Sequence, residues 1–299
     1  MRFKNKFLQF FFEPRQDNDW IIFFRISIGT MVLLHFLSVW RDFDMLYGRE
    51  AIIPVDILSV YTPDFVITFD ELIRFIASLG LSQQTSIEIY KYLYLFLSFL
   101  LVIGLFPRIA AFLLLFLQIG LSKGAPLYAY GVDYFTSMSL FYLILVPSDF
   151  KYSVHGFFKP VITNFNLRPF HRLFQLHLSI AYFFSGFDKV LGFNWWNGES
   201  IWKAFHLPFV NQDFQINLSW LAEFPAILIF LGWATVLLEM LYPLFIWIRK
   251  TRKLWLFLII GMHLGIALIL NLYFFAAVMI IWNLTAFYFD PKHHISYMK

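Results

Sequence analysis

Eight stretches of the chain stay apolar over much of the length of a bilayer crossing. Such a crossing takes about 20 residues, because the hydrocarbon core is roughly 30 Å thick and a helix rises about 1.5 Å per residue. They fall at about Trp20–Trp40, Ile87–Phe106, Ile109–Ser122, Asp133–Pro147, Arg172–Val190, Phe224–Ile248, Leu254–Leu270 and Leu272–Phe289. The third and fourth are short by this rule. Two polar intervals, Arg41–Ser86 and Leu191–Glu223, are too long to be simple connectors. In the first, Asp70 is placed to cap a helix whose Leu72, Phe75, Ile76 and Leu79 recur at i, i+3, i+4 and i+7, with Gly80 as its stop. A helix of that length cannot span and is predicted to lie along the outer interface. The second interval carries Trp195, Trp196, Trp202 and Trp220, at the depth where aromatic belts collect. The pattern predicts one all-α polytopic membrane domain over residues 1–299. It has about eight transmembrane helices, short interfacial helices in outside loops 41–86 and 191–223, and a basic cytoplasmic interfacial segment at 1–19.

The charges orient this arrangement. With the N-terminus in the cytoplasm, the inside segments hold Arg2, Lys4, Lys6 and Arg15, then Arg108, then Lys151, Lys159, Arg168 and Arg172. Arg249, Lys250, Arg252 and Lys253 follow, and Lys292 and Lys299 end the series. That is most of the 23 basic residues, whereas Asp42, Asp44, Glu50, Asp56, Asp64, Asp70 and Glu71 gather in one outside loop. The asymmetry is the positive-inside pattern and puts both termini in the cytoplasm. Met1 to Phe12 imitates a signal peptide, but it runs into Glu13-Pro14-Arg15 with no small-residue cleavage site and reads as retained.

Composition excludes the competing classes. Hydrophobic residues make up 60% of the chain and charged residues 14%, against about 25% charged in a typical soluble domain. Soluble enzymes and nucleic-acid-binding modules are ruled out, and the modest net charge is explained by the inside loops. There is no cysteine, so disulfides, thiolate nucleophiles and Cys-ligated metals are excluded. No His or carboxylate spacing calls for a metal, and His293-His294 is a weak signal.

Ionisable groups inside spans are costly and default to functional hypotheses. Arg25 lies about 8 Å in from the cytoplasmic side and Glu239 about 21 Å from the outer side, the same level. Two readings stand: Arg25 and Glu239 pair and pin the first and sixth spans, or they mark a cytoplasmic ion path. His177 shares the level and reads as a bonded interior histidine. In the outer half, Lys189 ends the fifth span and His263 lies near mid-membrane, with His35 and Asp133 at the outer level of the first and fourth spans. Lys189 is either a snorkelling anchor or a reactive amine, and His263 either a packing residue or its helper.

The stretch Tyr182-Phe183-Phe184-Ser185-Gly186-Phe187-Asp188-Lys189, followed by Gly192, Trp195 or Trp196 and Gly198, resembles the Y-F-x-[AS]-G-x-x-K…W-x-x-G signature of the horizontally transferred transmembrane domain family. That family includes the membrane domain of vitamin K-dependent γ-carboxylase and bacterial peptide-maturation membrane proteins. Arg25 in the opening span, Tyr152-Ser153-Val154 after the fourth and His263 in the seventh are further matches, in order along nearly the whole chain.

The resemblance implies an enzyme of carboxylase/epoxidase type in the bacterial inner membrane, with Lys189 as the base that deprotonates a prenyl quinol of the menaquinol or vitamin K kind. His263 would assist, and His35, Asp133, Trp195 and Trp196 would line the cofactor site. A lysine in a dry pocket loses solvation of its charged form, which favours the neutral amine a base requires. Three departures qualify the activity, one being that Gly131-Val132-Asp133 stands where the carboxylase has a histidine near the start of its fourth span. Asp188 stands where the animal carboxylase has a second lysine, and a carboxylate there would hold Lys189 as ammonium. The chain also ends just after the eighth stretch, without the domain that binds the carboxylase propeptide, so protein-glutamate carboxylation is not expected. The alternatives are an accessory factor for maturation or export of a secreted peptide, acting with a small partner protein, and a small-molecule transporter. Membrane lipids are the expected surroundings and nucleic acid is not an expected partner.

Overall fold

The computed structural model describes residues 8–13, 18–48, 51–62, 65–148, 152–158, 166–208 and 211–289, and all regular structure among them is helical. Among the described residues four helices are long and apolar enough to cross a membrane: Asp19–Ser38, Gln83–Ile103, Pro107–Gly124 and Arg249–Leu270. Three shorter apolar helices occupy Gly131–Leu145, Pro225–Met240 and Tyr273–Tyr288. The basic positions Arg2, Lys4, Lys6, Arg15, Lys151, Lys159, Lys292 and Lys299, the acidic Glu50 and Asp64, and the His293-His294 pair all lie outside the described residues. The chain forms two compact units, Ile21–Phe165 and Met1–Trp20 with Asn166–Lys299.

The first unit is built on α1 (Asp19–Ser38), α2 (Phe43–Tyr47), α3 (Val55–Ser59), α4 (Phe69–Ser78), α5 (Gln83–Ile103), α6 (Pro107–Gly124), α7 (Gly131–Leu145) and α8 (Val154–Phe158). Helix α4 is the short amphipathic helix expected from the sequence, with two corrections. Its cap is Thr68, not Asp70: the Thr68 hydroxyl accepts from the Glu71 N–H while the Glu71 carboxylate accepts from the Thr68 N–H, a reciprocal box that satisfies two otherwise orphaned donors. Asp70 instead pairs with Arg74 at 2.7 Å. Its inward face is Phe69 and Ile73, whereas Phe75 and Leu79 of the apolar stripe stand exposed. A stripe read from period alone finds an amphipathic helix but does not say which medium it meets.

Arg25 is fully buried in this unit. Its guanidinium donates to the carbonyls of Leu101 (2.9 Å), Val102 (2.7 Å) and Tyr152 (2.5 Å). The last turn of α5 leaves its carbonyls without intrahelical partners at the negative end of the helix dipole, so a forked cation there answers both the hydrogen-bond and the charge requirement. Helix α5 stops at Gly104, which is left-handed (φ 70°) and packs so closely that an added Cβ would lie 2.6 Å from Arg25 Nη1 and 2.5 Å from Ser153 Cβ. Arg25 therefore anchors a helix end, and Glu239, the partner expected for it, is bonded within its own unit to Lys189.

The second unit holds α9 (Arg168–Leu191), α10 (Phe193–Trp196), α11 (Glu199–Phe205), a 3-10 turn at Ser219–Glu223, α12 (Pro225–Met240), α13 (Tyr242–Phe245), α14 (Arg249–Leu270) and α15 (Tyr273–Asn283), which runs on as a π-turn at Leu284–Tyr288. The sixth apolar stretch, expected to be continuous from Phe224 to Ile248, breaks after Met240. Pro243 sits in the first turn of α13, where its missing N–H costs nothing. Trp195, Trp202 and Phe205 of the 191–223 interval pack on a small core of Ile201, Leu221 and Leu228, so those tryptophans do structural duty. At the other end of α9, Arg168 and Arg172 donate to the Phe10 carbonyl, and Arg172 also lies over the Phe10 ring. His171 and Gln175 engage the Thr285 and Ala286 carbonyls of the π-turn.

Candidate functional site

The Tyr182–Gly198 signature and His263 lie in the second unit, whereas Arg25 and Tyr152-Ser153-Val154, the other matches, lie in the first. On α9, Tyr182, Ser185, Gly186 and Lys189 recur at i, i+3, i+4 and i+7, one face of a helix. That face meets α12. Gly186 has no side chain to hold the helices apart, and a Cβ there would lie 2.5 Å from the Met240 backbone nitrogen. Met240 follows Glu239, so the close approach carries the Glu239 carboxylate to 2.7 Å from Lys189 Nζ.

Lys189 makes three kinds of contact. Its ammonium donates to Glu239 Oε2 at 2.7 Å and to Ser185 Oγ at 2.8 Å, and it lies 5.3 Å from the centre of the Trp195 ring. The Lys189 side chain keeps 21% of its exposure and Glu239 only 8%, so a snorkelling lysine reaching for water is not what is seen. Asp188, the neighbour expected to be a competing carboxylate, is exposed. The carboxylate that matters comes from a different helix. Trp196 is less available than expected: its indole N–H is taken up by the Val190 carbonyl at 2.7 Å. Gly198, the last residue of the signature, is left-handed (φ 81°) and packs against the Leu228–Ile229 backbone of the Glu239 helix.

A second polar cluster sits beside the first. Tyr182 Oη and His263 Nε2 are 2.7 Å apart. Asn283 donates to Tyr182 Oη (2.7 Å) and to the Met279 carbonyl (2.8 Å), and Tyr242 donates to Asn283 Oδ1 (2.8 Å). All four side chains are buried. Tyr182 stands two turns before Lys189 on the same face of α9, about 10 Å along the helix axis, so the two clusters share one side of that helix. His263 Nδ1 has no hydrogen-bond partner among the described residues. Asn283 and Tyr242 were not singled out from sequence. A lone asparagine in Ile281-Trp282-Asn283-Leu284 was the available signal, because an amide in a span must find partners.

His35 and Asp133 belong to the other unit. There the Asp133 carboxylate accepts from the Tyr130 N–H (3.0 Å), at the start of its own helix, and from Gln118 Nε2 (3.0 Å). Gln118 in turn accepts from Tyr94. Burial, with the Asp133 charge beside it, pushes the Tyr130 hydroxyl up to about 12. This is a helix-start network, fully bonded at the carboxylate. Among the described residues no three His or carboxylate side chains come together as a metal site.

Comparisons with known proteins add no relative: no family model, no curated protein and no solved structure matches the chain.

Proposed function

We propose that the chain is a multi-pass membrane protein whose second unit carries a proton-accepting site for a lipid-soluble hydroxyl compound, a prenyl quinol in the reading the resemblance suggests. The apolar helices and the charge asymmetry support the membrane placement, with eight crossings and both termini in the cytoplasm. The observation that carries the chemistry is the gathering of Tyr182, Ser185, Gly186, Lys189 and Trp195 about Glu239 and His263.

An ammonium has no lone pair, so Lys189 cannot accept a proton while Glu239 keeps it charged. The two can act as a unit. Across 2.7 Å the Lys189 proton passes to Glu239, giving an amine and a carboxylic acid, a neutral arrangement that a poorly solvated site favours. The amine then takes the ligand's hydroxyl proton and is again an ammonium, positioned beside the oxyanion just formed. A quinol in this place would supply electrons for a following oxidation. The Trp195 face borders the site and limits water around the amine.

The accessory reading has one observation in its favour: the Lys189–Glu239 pair by itself staples α9 to α12. Replacing Lys189 by arginine separates the two readings. A guanidinium keeps the ion pair but stays protonated. Purified protein in lipid nanodiscs, supplied with reduced 2,3-dimethyl-1,4-naphthoquinone as the probe and dioxygen as the electron acceptor, is expected to speed its oxidation in the parent and to lose that acceleration in Lys189→Arg, with little change in melting temperature. Full turnover in Lys189→Arg overturns the base and leaves the staple.

A further inference from the structure

The hydrogen-bond chain behind His263 has only one consistent direction. It starts at the Met279 carbonyl, which can only accept, so the Asn283 atom facing it at 2.8 Å is the amide nitrogen. That fixes Asn283 Oδ1 toward Tyr242, whose hydroxyl must donate. The second Asn283 amide hydrogen points to Tyr182 Oη at 2.7 Å and is accepted there. Tyr182 therefore has its own hydrogen free to give, and the acceptor at 2.7 Å is His263 Nε2. In the opposite sense His263 would donate to an oxygen already accepting from Asn283, and the buried Tyr182 hydrogen would be left with no acceptor among these groups.

A neutral imidazole whose Nε2 accepts carries its hydrogen on Nδ1. His263 is 2% exposed, and its Nδ1 is the one atom of this chain of bonds with no partner among the described residues. We infer that Tyr182 and Asn283 hold His263 as the Nδ1–H tautomer and that this hydrogen is the donor for an oxygen acceptor on the ligand of the Lys189–Glu239 site. His263 is then the residue that touches the ligand, and Tyr182, Asn283 and Tyr242 are positioning residues. The ligand class narrows to an apolar molecule carrying a carbonyl or oxyanion oxygen beside the group that Lys189 addresses. The inference rests on the proposed function for the ligand, but not for the tautomer.

The test is nitrogen-15 NMR of histidine-labelled protein in nanodiscs at neutral pH, with His263→Phe assigning the resonance. The expected spectrum has His263 neutral and protonated at Nδ1, and Tyr182→Phe is expected to mix the tautomers while the protein stays folded. Addition of 2,3-dimethyl-1,4-naphthoquinone is expected to move the Nδ1 resonance, and His263→Phe to weaken its binding about tenfold, the equivalent of one net hydrogen bond. A hydrogen on Nε2, or an imidazolium, overturns the inference whatever the quinone does. An Nδ1–H resonance unmoved by a quinone that still binds in a Lys189-dependent way overturns the ligand contact and leaves the proposed function standing. If neither the quinone nor its reduced form binds the parent, the proposed function falls, and the ligand half of the inference with it. Should Tyr182→Phe fail to fold, Asn283→Leu removes the donation to Tyr182 and gives the same readout.

Discussion

Gly186 approaches the backbone of Met240 so closely that a single added carbon would stand 2.5 Å from the Met240 nitrogen. Gly186→Ala must therefore push α9 and α12 apart. Overpacking of this kind costs about 1–3 kcal/mol and here also lengthens the Lys189–Glu239 contact. Gly261 and Gly265 on α14 have nothing within 4 Å of an added Cβ. Alanine at either is expected to be neutral or to stabilise by up to about 1 kcal/mol through helix propensity. Melting temperatures of the three variants check this, and equal effects at all three positions would remove the close approach as the cause.

The ion pair is testable as a pair. Removing one partner leaves a buried unpaired charge, at about 3–5 kcal/mol. Lys189→Met with Glu239→Leu should cost well below the sum of the singles. Arg25→Met with Glu239→Leu should instead be additive, because those side chains are bonded to different groups. A thermal cycle over both pairs reads the contrast directly.

How far the sequence reached is clearest at these two residues. Lys189 stood out because its neighbours form a spaced signature, and each element of that signature has a physical role: Tyr182 bonds His263, Ser185 holds the ammonium, Gly186 admits α12. Glu239 also stood out as a carboxylate in an apolar run, but its partner was misread. Counting residues gives depth along a helix and says nothing of which helix lies alongside, so two charges at one level looked like a pair. Asn283 escaped because its importance lies in two hydrogens aimed at groups 101 and 4 residues away. The break after Met240 was missed because Leu241 to Ile248 stays apolar through the turn.

The Arg25 anchor predicts its own pattern. Arg25→Lys keeps the charge but a compact ammonium cannot span the Leu101, Val102 and Tyr152 carbonyls as a fork does. Gly104→Ala meets both a left-handed backbone and the Arg25 guanidinium. Each is expected to destabilise by about 2 kcal/mol or more, since a charged hydrogen bond contributes about 1.5–3 kcal/mol. Hydrogen exchange should show the loss first at the end of α5.

At α4 the expected effect is of pH. The Thr68 N–H and hydroxyl hold the Glu71 carboxylate below its ordinary range. The box is therefore complete above that range and is lost as pH falls through the lowered value. Amide protection at residues 69–72, corrected for intrinsic exchange, should fall on acidification in the parent. Glu71→Gln should flatten the dependence.

For the membrane orientation, the absence of native cysteine makes thiol labelling clean. Asp56→Cys should react with an impermeant maleimide in intact cells, and Lys250→Cys only after permeabilisation. Labelling of Lys250→Cys in sealed cells would reverse the orientation.

The π-turn at Leu284–Tyr288 is in effect a one-residue insertion carried inside a helix. A wider turn advances less than the 100° per residue of an α-helix, so Thr285 and Ala286 face directions that a regular continuation from Asn283 would not give them. Tightening this turn to regular α geometry would swing the Thr285 and Ala286 carbonyls away from His171 and Gln175. A deletion at Leu284, just ahead of those carbonyls, is thus expected to loosen the hold on α9 more than an apolar replacement of the same residue.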